Sequence, residues 1–384
     1  MTDATRANES TATPGSLLMA VELGRRQWKL GFTTGVGQRP RRRTVSTDAW
    51  RHQLPEEIAT AKARFGLPAE TPVVSCYEAG AEGFWVHRYL TTLGVENLVV
   101  DSSSIEVNRR ARRAKTDRLD VEKLLTMLTR YVGGERTVWH VVRVPSEIDE
   151  QRRQPHRELA TLKRDGTRVK NRIAGLLATQ GVRLKVRADF GARLATLRQW
   201  NGEPLPAELQ RRLVREWQKL ELILTQIKDI ERARREALSH SHERAVALVQ
   251  RLLELRGIGP QAAWLFVMEL FAWRALKNRR QVAAITGLVP SPYKSGTLAW
   301  EQGISKAGNR AVRALAIQIA WGWLMYQPQS ALAQWYAQRF AHGGPRARKI
   351  GIVAVARRLM IDLWRYLEQG VLPEGAVLKP LASG

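Results

Sequence analysis

Short apolar runs that alternate with amphipathic segments fill residues 16–100, and they restrict the fold more than any other feature of the chain. The runs have the length of β-strands, and the segments between them have the length and pattern of helices. We expect strands at 16–23, 28–34, 71–77 and 95–100, helices at 55–65 and 83–93, and a turn at 41–43 that leads into a further strand. This order predicts an α/β domain that begins with a hairpin and has a partly parallel sheet.

Acidic residues follow several of these strands. Glu22, Glu78 and Asp101 lie at or near strand ends, and chemistry gathers at the carboxyl ends of strands in such sheets. Asp117 and Asp120 are three residues apart, so a helix presents them on one face. Carboxylates in this arrangement suit Mg²⁺. The alternative for each acid alone is an exposed side chain that pairs with one of the many arginines.

A basic segment precedes the two aspartates. It contains Arg112, Arg113 and Lys115, and Thr116 is a suitable cap for the helix that follows. Cations beside a carboxylate pair favour phosphodiester chemistry, because the metal polarises a phosphate while the cations hold the backbone.

The charge balance of the whole chain supports a polyanionic partner. Lys and Arg number 62 and Asp and Glu 36, which gives 62 − 36 = +26. Nucleic acid is the simplest partner for such a charge, and its binding depends strongly on salt. A membrane surface is disfavoured because the basic residues run through most of the chain and not along one amphipathic face.

Cysteine use and hydropathy indicate a cytoplasmic protein. Cys76 is the only cysteine, which excludes an internal disulfide and a multi-cysteine zinc site and fits a reducing compartment. Residues 1–15 resemble a disordered tail without a signal peptide, and the apolar stretch at 315–326 is too short to cross a bilayer.

The middle of the chain, from about residue 147 to 253, is charged and helical. Apolar residues spaced alternately by four and three form a coiled-coil seam: Leu213, Trp217, Leu220, Leu224 and Ile227. An earlier helix at 156–179 carries a basic stripe. Together they predict an antiparallel helical hairpin or a dimerisation arm. The basic stripe is either solvated surface or a nucleic-acid track.

The last third contains a loop rich in glycine and proline at 287–296, which leads into a basic helix. Ser295 stands between Lys294 and Gly296, where the backbone can turn and expose the hydroxyl. Polar and basic residues then surround the start of the next helix and suit an anion such as phosphate: Ser305, Lys306, Asn309, Arg310 and Arg313. The plainer interpretation is a polar loop with Ser305 as helix cap.

The order of these motifs resembles the DEDD-type insertion-sequence transposases, a family that includes the bridge-RNA-guided recombinases of bacterial mobile elements. The pieces that carry the resemblance are Glu22, Glu78, the KTDRLD segment at 115–120, the GIG turn at 257–259, Ser295 and the GISKAGN segment at 303–309. It extends from about residue 17 to 366.

The resemblance implies an α/β plus all-α protein. A RuvC/RNase H-like domain at 16–132 would bind metal, and a helical coiled-coil arm at 133–250 would dimerise. A mostly helical transposase domain at 251–384 would hold a helix-hairpin-helix-like turn and the catalytic serine.

The same resemblance implies the chemistry. Glu22, Glu78, Asp117 and Asp120 would bind Mg²⁺, with Glu22 standing where the family usually has aspartate and Asp101 ranked below it. Ser295 would attack DNA and become joined to it.

Residues beside the serine and in the basic segment would hold nucleic acid in this scheme: Lys294, Lys306, Asn309, Arg310, Arg313, Arg112, Arg113 and Lys115. Donor and target DNA would be chosen by a bridge RNA, in a site shared by two protomers of a homodimer or homotetramer.

Two other functions stay open at this point. One is a Mg²⁺-dependent nuclease or Holliday-junction resolvase that uses the carboxylates alone, with Ser295 only binding. The other is a catalytically inactive nucleic-acid-binding protein. Ser291 and Ser305 are rival nucleophiles.

Overall fold

The structure is a computed structural model that describes residues 15–105, 117–295 and 298–380, with side chains at 15–105, 120–291 and 303–380. The chain divides into two compact units, Met1–Val144 and Pro145–Gly384. The predicted boundary near residue 250 lies inside the second unit.

A five-stranded sheet forms the centre of the first unit, in the order β3-β2-β1-β4-β5. Its strands are β1 (Leu17–Leu23), β2 (Gln27–Thr33), β3 (Arg41–Ser46), β4 (Val73–Glu78) and β5 (Glu96–Val100). β1, β2 and β3 pair antiparallel, whereas β1, β4 and β5 pair parallel. This confirms the predicted hairpin and partly parallel sheet. The strand order is compatible with an RNase H-like domain.

Helices cover both faces of this sheet. Helices α1 (Trp50–Arg64) and α2 (Trp85–Thr92) pack on one face, and α3 (Asp117–Val132) packs on the other. The central strand β1 is buried on both sides, which explains its uninterrupted apolar run. Gly31 lets α3 approach β2, because a Cβ there would lie 2.7 Å from Cγ1 of Val121.

The predicted turn at the arginine cluster 41–43 is wrong. These residues are not a turn but the first half of β3, paired with β2. Arg41 is buried and its guanidinium pairs with the carboxylate of Glu57 on α1. Arg43 also pairs with Glu57 (3.5 Å), and Arg42 pairs with Glu122 of α3 (2.8 Å), so each arginine of the cluster has an acidic partner.

The second unit begins with a helical arm. Its helices are α4 (Glu147–Gln151), α5 (Gln154–Ala178), α6 (Phe190–Leu194) and α7 (Ala207–His240). α5 and α7 lie antiparallel, as the ion pairs Lys163–Glu231 and Arg172–Glu216 show. Leu213, Trp217 and Leu220 of the seam are buried in the core of this hairpin. The predicted antiparallel hairpin is thus confirmed, and its seam packs within one chain.

The remaining elements build the largest core of the unit. They are α8 (Arg244–Glu254), α9 (Pro260–Phe266), α10 (Arg279–Thr286), β6 (Pro290–Ser295), β7 (Leu298–Ile304), α11 (Arg310–Tyr326), α12 (Ala331–Tyr336) and α13 (Pro345–Gln369). Two π-helical segments, Val267–Phe271 and Ala337–Ala341, continue α9 and α12. None of the helices in the described part of the chain is long and apolar enough to cross a membrane.

Candidate functional site

Strand register brings two of the predicted acids to the same edge of the sheet. β1 and β4 are parallel neighbours, with Val21 opposite Tyr77. Glu22 and Glu78 are the next residue of each strand, so they occupy adjacent positions at the carboxyl edge. Side chains alternate along a strand, and Leu18, Ala20 and Cys76 face α3. Glu22 and Glu78 therefore lie on the face of the sheet that α3 covers.

Helix α3 begins above this edge. The Cys76 thiol lies 3.8 Å from the carbonyl oxygen of Leu124. Cys76 is two residues before Glu78 on β4, and Leu124 is one helical turn after Asp120 on α3. Val121 borders the same cavity as Lys29, the partner of Glu22 in β2, whereas Thr129 borders a cavity with Thr33, the partner of Leu18. The start of α3, with Asp120 and before it Asp117, therefore lies toward the carboxyl ends of β1 and β4. Burial raises the pKa of the Cys76 thiol far above its ordinary value, so this residue is a packing group and not a nucleophile.

The predicted acids differ in their surroundings. Glu78 is exposed, whereas Glu22 and Asp120 are half-buried. Asp101 is engaged: its Oδ1 accepts hydrogen bonds from the Ser103 amide (2.9 Å) and hydroxyl (2.8 Å) and caps a short 3-10 turn. This local role supports ranking Asp101 below Glu22.

Part of the predicted acidic site lies outside the described residues. The backbone of Asp117 begins α3, but its side chain is not described, and Arg112, Arg113, Lys115 and the cap Thr116 fall in the gap at 106–116. Among the side chains that are described, no three His, Cys, Asp or Glu residues make a metal site by themselves.

Ser295 lies at the tip of a β-hairpin. The predicted loop at 287–296 is wrong from Pro290 onward, because β6 and β7 pair antiparallel with Ser295 opposite Leu298. Ser295 is the last residue of β6, and its partner Leu298 is the first residue of β7. The side chains of Lys294 and Ser295 are outside the described set. Ser291 and Ser305 stand at the base of the hairpin instead.

The base of the hairpin is a tight crossing of two backbone segments. Val289 accepts a hydrogen bond from the amide of Ser305 (2.8 Å), and Ile285 accepts one from the amide of Asn309 (3.1 Å). A Cβ at Gly308 would overlap the carbonyl oxygen of Ile285, and Gly308 also has φ +82°. Gly308, and Gly287 on the other segment, where a Cβ would overlap the carbonyl oxygen of Ala307, therefore serve close backbone approach.

Lys306 is held in an unusual conformation at this crossing. Among described residues other than glycine, only Lys306 has a positive φ, +57°. Such a conformation costs about 1–2 kcal/mol and persists where the surroundings impose it. Nη1 of Arg313 donates to the carbonyl oxygens of Lys306 (2.8 Å) and Ala307 (3.3 Å) and so braces the turn. The Lys306 side chain is exposed, as is Arg310.

Asn309, and not Ser305, caps the following helix. Its Oδ1 accepts hydrogen bonds from the amides of Ala311 (2.9 Å) and Val312 (3.2 Å), so α11 begins at Arg310. Ser305 lies four residues earlier, at the end of β7. The predicted Ser305 cap is wrong because the chain must first complete the crossing.

A buried carboxylate fixes Asn309 from the other side, and the sequence analysis missed it. Glu269 is 5% exposed and lies in the π-helical segment after α9. Its oxygens accept hydrogen bonds from Nε2 of His156 (2.7 Å), from Nε and Nη2 of Arg157 (2.7 and 3.0 Å) and from Nδ2 of Asn309 (3.2 Å). The network joins α5, the π-helical segment and α11.

Electrostatics keep this carboxylate ionised. Burial alone would raise the pKa of Glu269, but the hydrogen bonds from His156 and Arg157 outweigh it and lower the pKa from 4.5 to about 2. A signal for Glu269 was present in the sequence. It is the lone acid in the apolar run 262–273, and a charge buried in such a run needs partners.

The GIG turn is covered by protein groups. It joins α8 to α9, with Gly257 at φ +92°. The carbonyl of Ile258 accepts a hydrogen bond from Nζ of Lys379 (2.9 Å), and Gln327 donates to the carbonyl of Arg256 (2.7 Å). These contacts agree with a tight interhelix turn.

Comparisons with known proteins match nearly the whole chain. A model described as the transposase IS116/IS110/IS902 family matches residues 249–336, from within α8 to the end of α12. A Sinorhizobium fredii (strain NBRC 101917 / NGR234) protein, y4rJ, whose name describes it as a transposase, is 39% identical over 394 residues, covering 97% of this chain and 99% of that protein. The transposase for insertion sequence element IS1328 of Yersinia enterocolitica is 25% identical over 362 residues, covering 94% and 99%.

Proposed function

The chain belongs to the IS116/IS110/IS902 transposase family, and from that membership we propose that it cuts and rejoins DNA through a covalent bond to Ser295. The observation that carries the proposal is the register of β1 and β4, which aligns Glu22 and Glu78 beneath the start of α3. We propose that the first unit is a RuvC-like domain and that this edge is its catalytic face.

The residues at this edge are of the chemical type that binds a magnesium ion. Glu22, Glu78 and Asp120 offer carboxylate oxygens, the ligands that Mg²⁺ prefers. Asp117 is three residues before Asp120 on the same helix. These four acids would hold the ion. When bound, Mg²⁺ would supply charge stabilisation for a phosphate under attack.

Ser295 would act as the nucleophile. Its oxygen would form a bond to phosphorus while one phosphoester bond of the DNA breaks. The serine proton would pass through a base or water to the leaving oxygen, which departs as a hydroxyl. A tip position in a two-stranded hairpin lets Ser295 reach into a nucleic-acid groove. The brace at the base of the hairpin, through Arg313 and Asn309, would hold the strands in a fixed direction.

Cations near the two sites would hold the substrates. Lys306 and Arg310 are exposed at the base of the hairpin. Lys294 precedes Ser295, and Arg112, Arg113 and Lys115 precede Asp117 in the sequence. A net charge of +26 favours a bridge RNA as well as DNA. We therefore expect RNA to copurify with the protein, and complete loss of that RNA at low salt would contradict this part of the proposal.

The acids and Ser295 belong to different units of the chain. We propose that a dimer or tetramer completes the site, with one protomer giving the acids and another the serine. This assembly would also prevent a single copy from cutting DNA alone.

A trapping assay tests the proposed chemistry. The protein is incubated with Mg²⁺, its copurified RNA and labelled donor and target DNA, and the products are separated under denaturing conditions. We expect a protease-sensitive protein–DNA band that EDTA, Ser295→Ala and Asp117→Asn each abolish. Ser291→Ala and Ser305→Ala are matched controls that should keep the band.

Two results would overturn the proposal in different ways. Free cleaved DNA that survives Ser295→Ala would indicate a nuclease or junction resolvase that uses the carboxylates alone. No Mg²⁺-dependent cleavage at all, with intact nucleic-acid binding, would indicate a protein that binds but does not cut.

A further inference from the structure

A cavity of about 840 Å³ lies in the second unit beside the Glu269 network. One wall is formed by α5 and the other by α9 and the start of α11, so we name it the α5–α11 groove. Its α5 wall carries four cations: Arg157, Lys163, Arg164 and Arg168. The opposite wall contributes Gln261, Asn309 and Ala311.

The groove is positive because its acid is already satisfied. Glu269 is the one acidic residue among the described residues that line it. The carboxylate is buried, and its oxygens accept hydrogen bonds from His156, Arg157 and Asn309. Arg157 is thus committed to Glu269, and the other three cations define the charge that a ligand would meet.

These three cations are available to a ligand. The guanidinium of Arg164 contacts only its own helix in the described contacts, at the Ala160 carbonyl (3.3 Å) and the Thr161 hydroxyl (3.0 Å). Lys163 pairs with Glu231 (3.0 Å) and Arg168 with Asp165 (3.1 Å), and both pairs are at the surface. Surface ion pairs contribute little, so a phosphate can replace the carboxylate at small cost.

The spacing of the cations suits a polymer and not a single anion. Of the available cations, Arg164 and Arg168 are four residues apart, so they lie on one face of α5. Four residues of helix span roughly 6 Å. One strand of a duplex has a phosphate about every 3.4 Å along the axis, so this face matches about two successive phosphates.

The lining also distinguishes a duplex from a single strand. No Trp, Tyr or Phe is found among the described lining residues. Proteins that hold single strands stack bases on such rings. Cations and threonines along a groove instead contact the phosphates and leave the bases paired.

We propose that the α5–α11 groove binds the phosphate backbone of double-stranded DNA without reading its sequence. The identity of the ligand as DNA rests on the proposed function, but the groove does not depend on Ser295 chemistry. The groove lies next to the hairpin base, because Asn309 lines the groove and also bonds to both Ile285 at the crossing and Glu269. The groove would thus hold DNA on the element that carries the reactive hairpin.

Binding measurements test the groove directly. Two double variants of the full chain are compared: Arg164→Ala/Arg168→Ala in the groove and the control Lys170→Ala/Arg215→Ala. Each is titrated with a labelled DNA duplex at several salt concentrations, without Mg²⁺. The control removes the same charge from exposed residues of α5 and α7 that do not line the groove. We expect the groove variant to bind roughly tenfold more weakly at 0.15 M salt. Its log–log salt slope should be smaller by about 1.8, for two phosphates lost.

Equal affinity and slope in the two double variants would overturn the proposal. A loss confined to an RNA duplex or single strand of the same sequence would overturn the choice of DNA. Because uncut DNA is used without metal, failure here leaves the serine trapping assay unaffected, and failure of that assay leaves this one interpretable. Unchanged thermal unfolding of both variants shows that the fold is intact.

Cross-linking gives a second measurement that does not remove charge. Cys76 is buried, so a thiol-specific photoreactive label will attach to an introduced cysteine. Thr167→Cys places the label in the groove, and Thr225→Cys is a matched control: both are exposed helical threonines whose hydroxyl bonds the carbonyl four residues earlier. We expect DNA cross-links from Thr167→Cys only. Equal cross-linking at both positions would contradict the proposal.

Discussion

The Glu78 carboxylate at the sheet edge of the first unit and the Glu269 carboxylate in the core of the second have opposite surroundings. Glu78 is exposed at the end of β4. Glu269 is 5% exposed and accepts four hydrogen bonds, from His156, Arg157 and Asn309. An acid with open oxygens can take up a metal or a proton, whereas an acid whose oxygens are filled fixes the groups around it.

This difference assigns separate roles to residue types that look alike in sequence. Removal of an acid at the sheet edge should impair the reaction and leave the fold intact. Removal of the buried acid should weaken the fold around the hairpin. The following predictions test whether the two roles are separate.

The largest effect is expected for Glu78→Gln. Loss of one proposed metal ligand removes several kcal/mol of charge stabilisation, so adduct formation should slow about a thousandfold. The melting temperature should not change, because the side chain is exposed. The measurement is the rate of covalent adduct formation under excess enzyme.

Glu70→Gln is the matched control for that experiment. Glu70 is exposed and precedes β4, at the opposite edge of the sheet from Glu78. It should react at the wild-type rate. A slow Glu70 variant, or a normal Glu78 variant, would show that the carboxyl edge has no special role.

The next effect is expected for Glu269→Ala. Removing one partner of a buried, hydrogen-bonded pair leaves Arg157 and His156 uncompensated and should lower the free energy of unfolding by about 3 kcal/mol. Denaturant unfolding with a probe in the second unit measures this. Glu78→Ala should change the same quantity by less than about 0.5 kcal/mol, as surface substitutions do. A larger loss of unfolding free energy in Glu78→Ala than in Glu269→Ala would contradict the separation of the two roles.

The contrast also marks what the sequence was able to predict. β1, β2, β4 and β5 were predicted because each follows a local apolar pattern. The acids at strand ends followed from the same pattern, since the strand fixes where its last residue stands. Parallel pairing of β1 with β4 then supplied the adjacency of Glu22 and Glu78.

The Glu269 network was not predicted because its partners are remote in sequence. Arg157 is 112 residues away and Asn309 is 40 residues away. No local period reports such contacts. The hairpin β6–β7 was missed for another reason: Pro290 and Pro292 argue against a strand, but a two-stranded sheet has only edge strands, where proline is tolerated.

A smaller effect concerns pH. The folded-state pKa of Glu269 is about 2, below its value of 4.5 in the unfolded chain. A lowered folded pKa stabilises the fold above pH 4.5, and this contribution is lost as pH falls toward 2. Wild type should therefore exceed Glu269→Gln by about 2–3 kcal/mol at pH 6, and the difference should narrow from pH 4.5 to pH 3. Paired urea titrations measure it.

The expected narrowing depends on every group that faces this carboxylate. His156 and Arg157 come from α5, the nearby Arg153 is the residue before α5, and Asn309 is the residue before α11. Arginine and asparagine do not titrate between pH 6 and 3. A difference that stays constant over this range would mean that Glu269 does not carry the charge on which the comparison relies.

The smallest effect separates close packing from backbone conformation at the hairpin. Gly308 and Gly303 both have positive φ, +82° and +89°. A Cβ on Gly308 would overlap Ile285, whereas a Cβ on Gly303 would meet nothing within 4 Å. Gly303→Ala should therefore cost only the conformational strain, about 1 kcal/mol. Gly308→Ala should cost about 1–2 kcal/mol more, because the crossing must open.

This pair of glycines sharpens the role assigned to the second unit. Gly308 lies next to Asn309, so opening the crossing also draws the Asn309 amide away from Glu269. Gly308→Ala and Glu269→Gln should then be less than additive in unfolding free energy, since both release the same contact, whereas Gly303→Ala and Glu269→Gln should add. Additivity in both pairs would mean that the buried carboxylate and the hairpin base are held independently. Coupling between Gly308→Ala and Glu269→Gln alone would show that the Glu269 carboxylate helps to hold the base of the hairpin that carries Ser295.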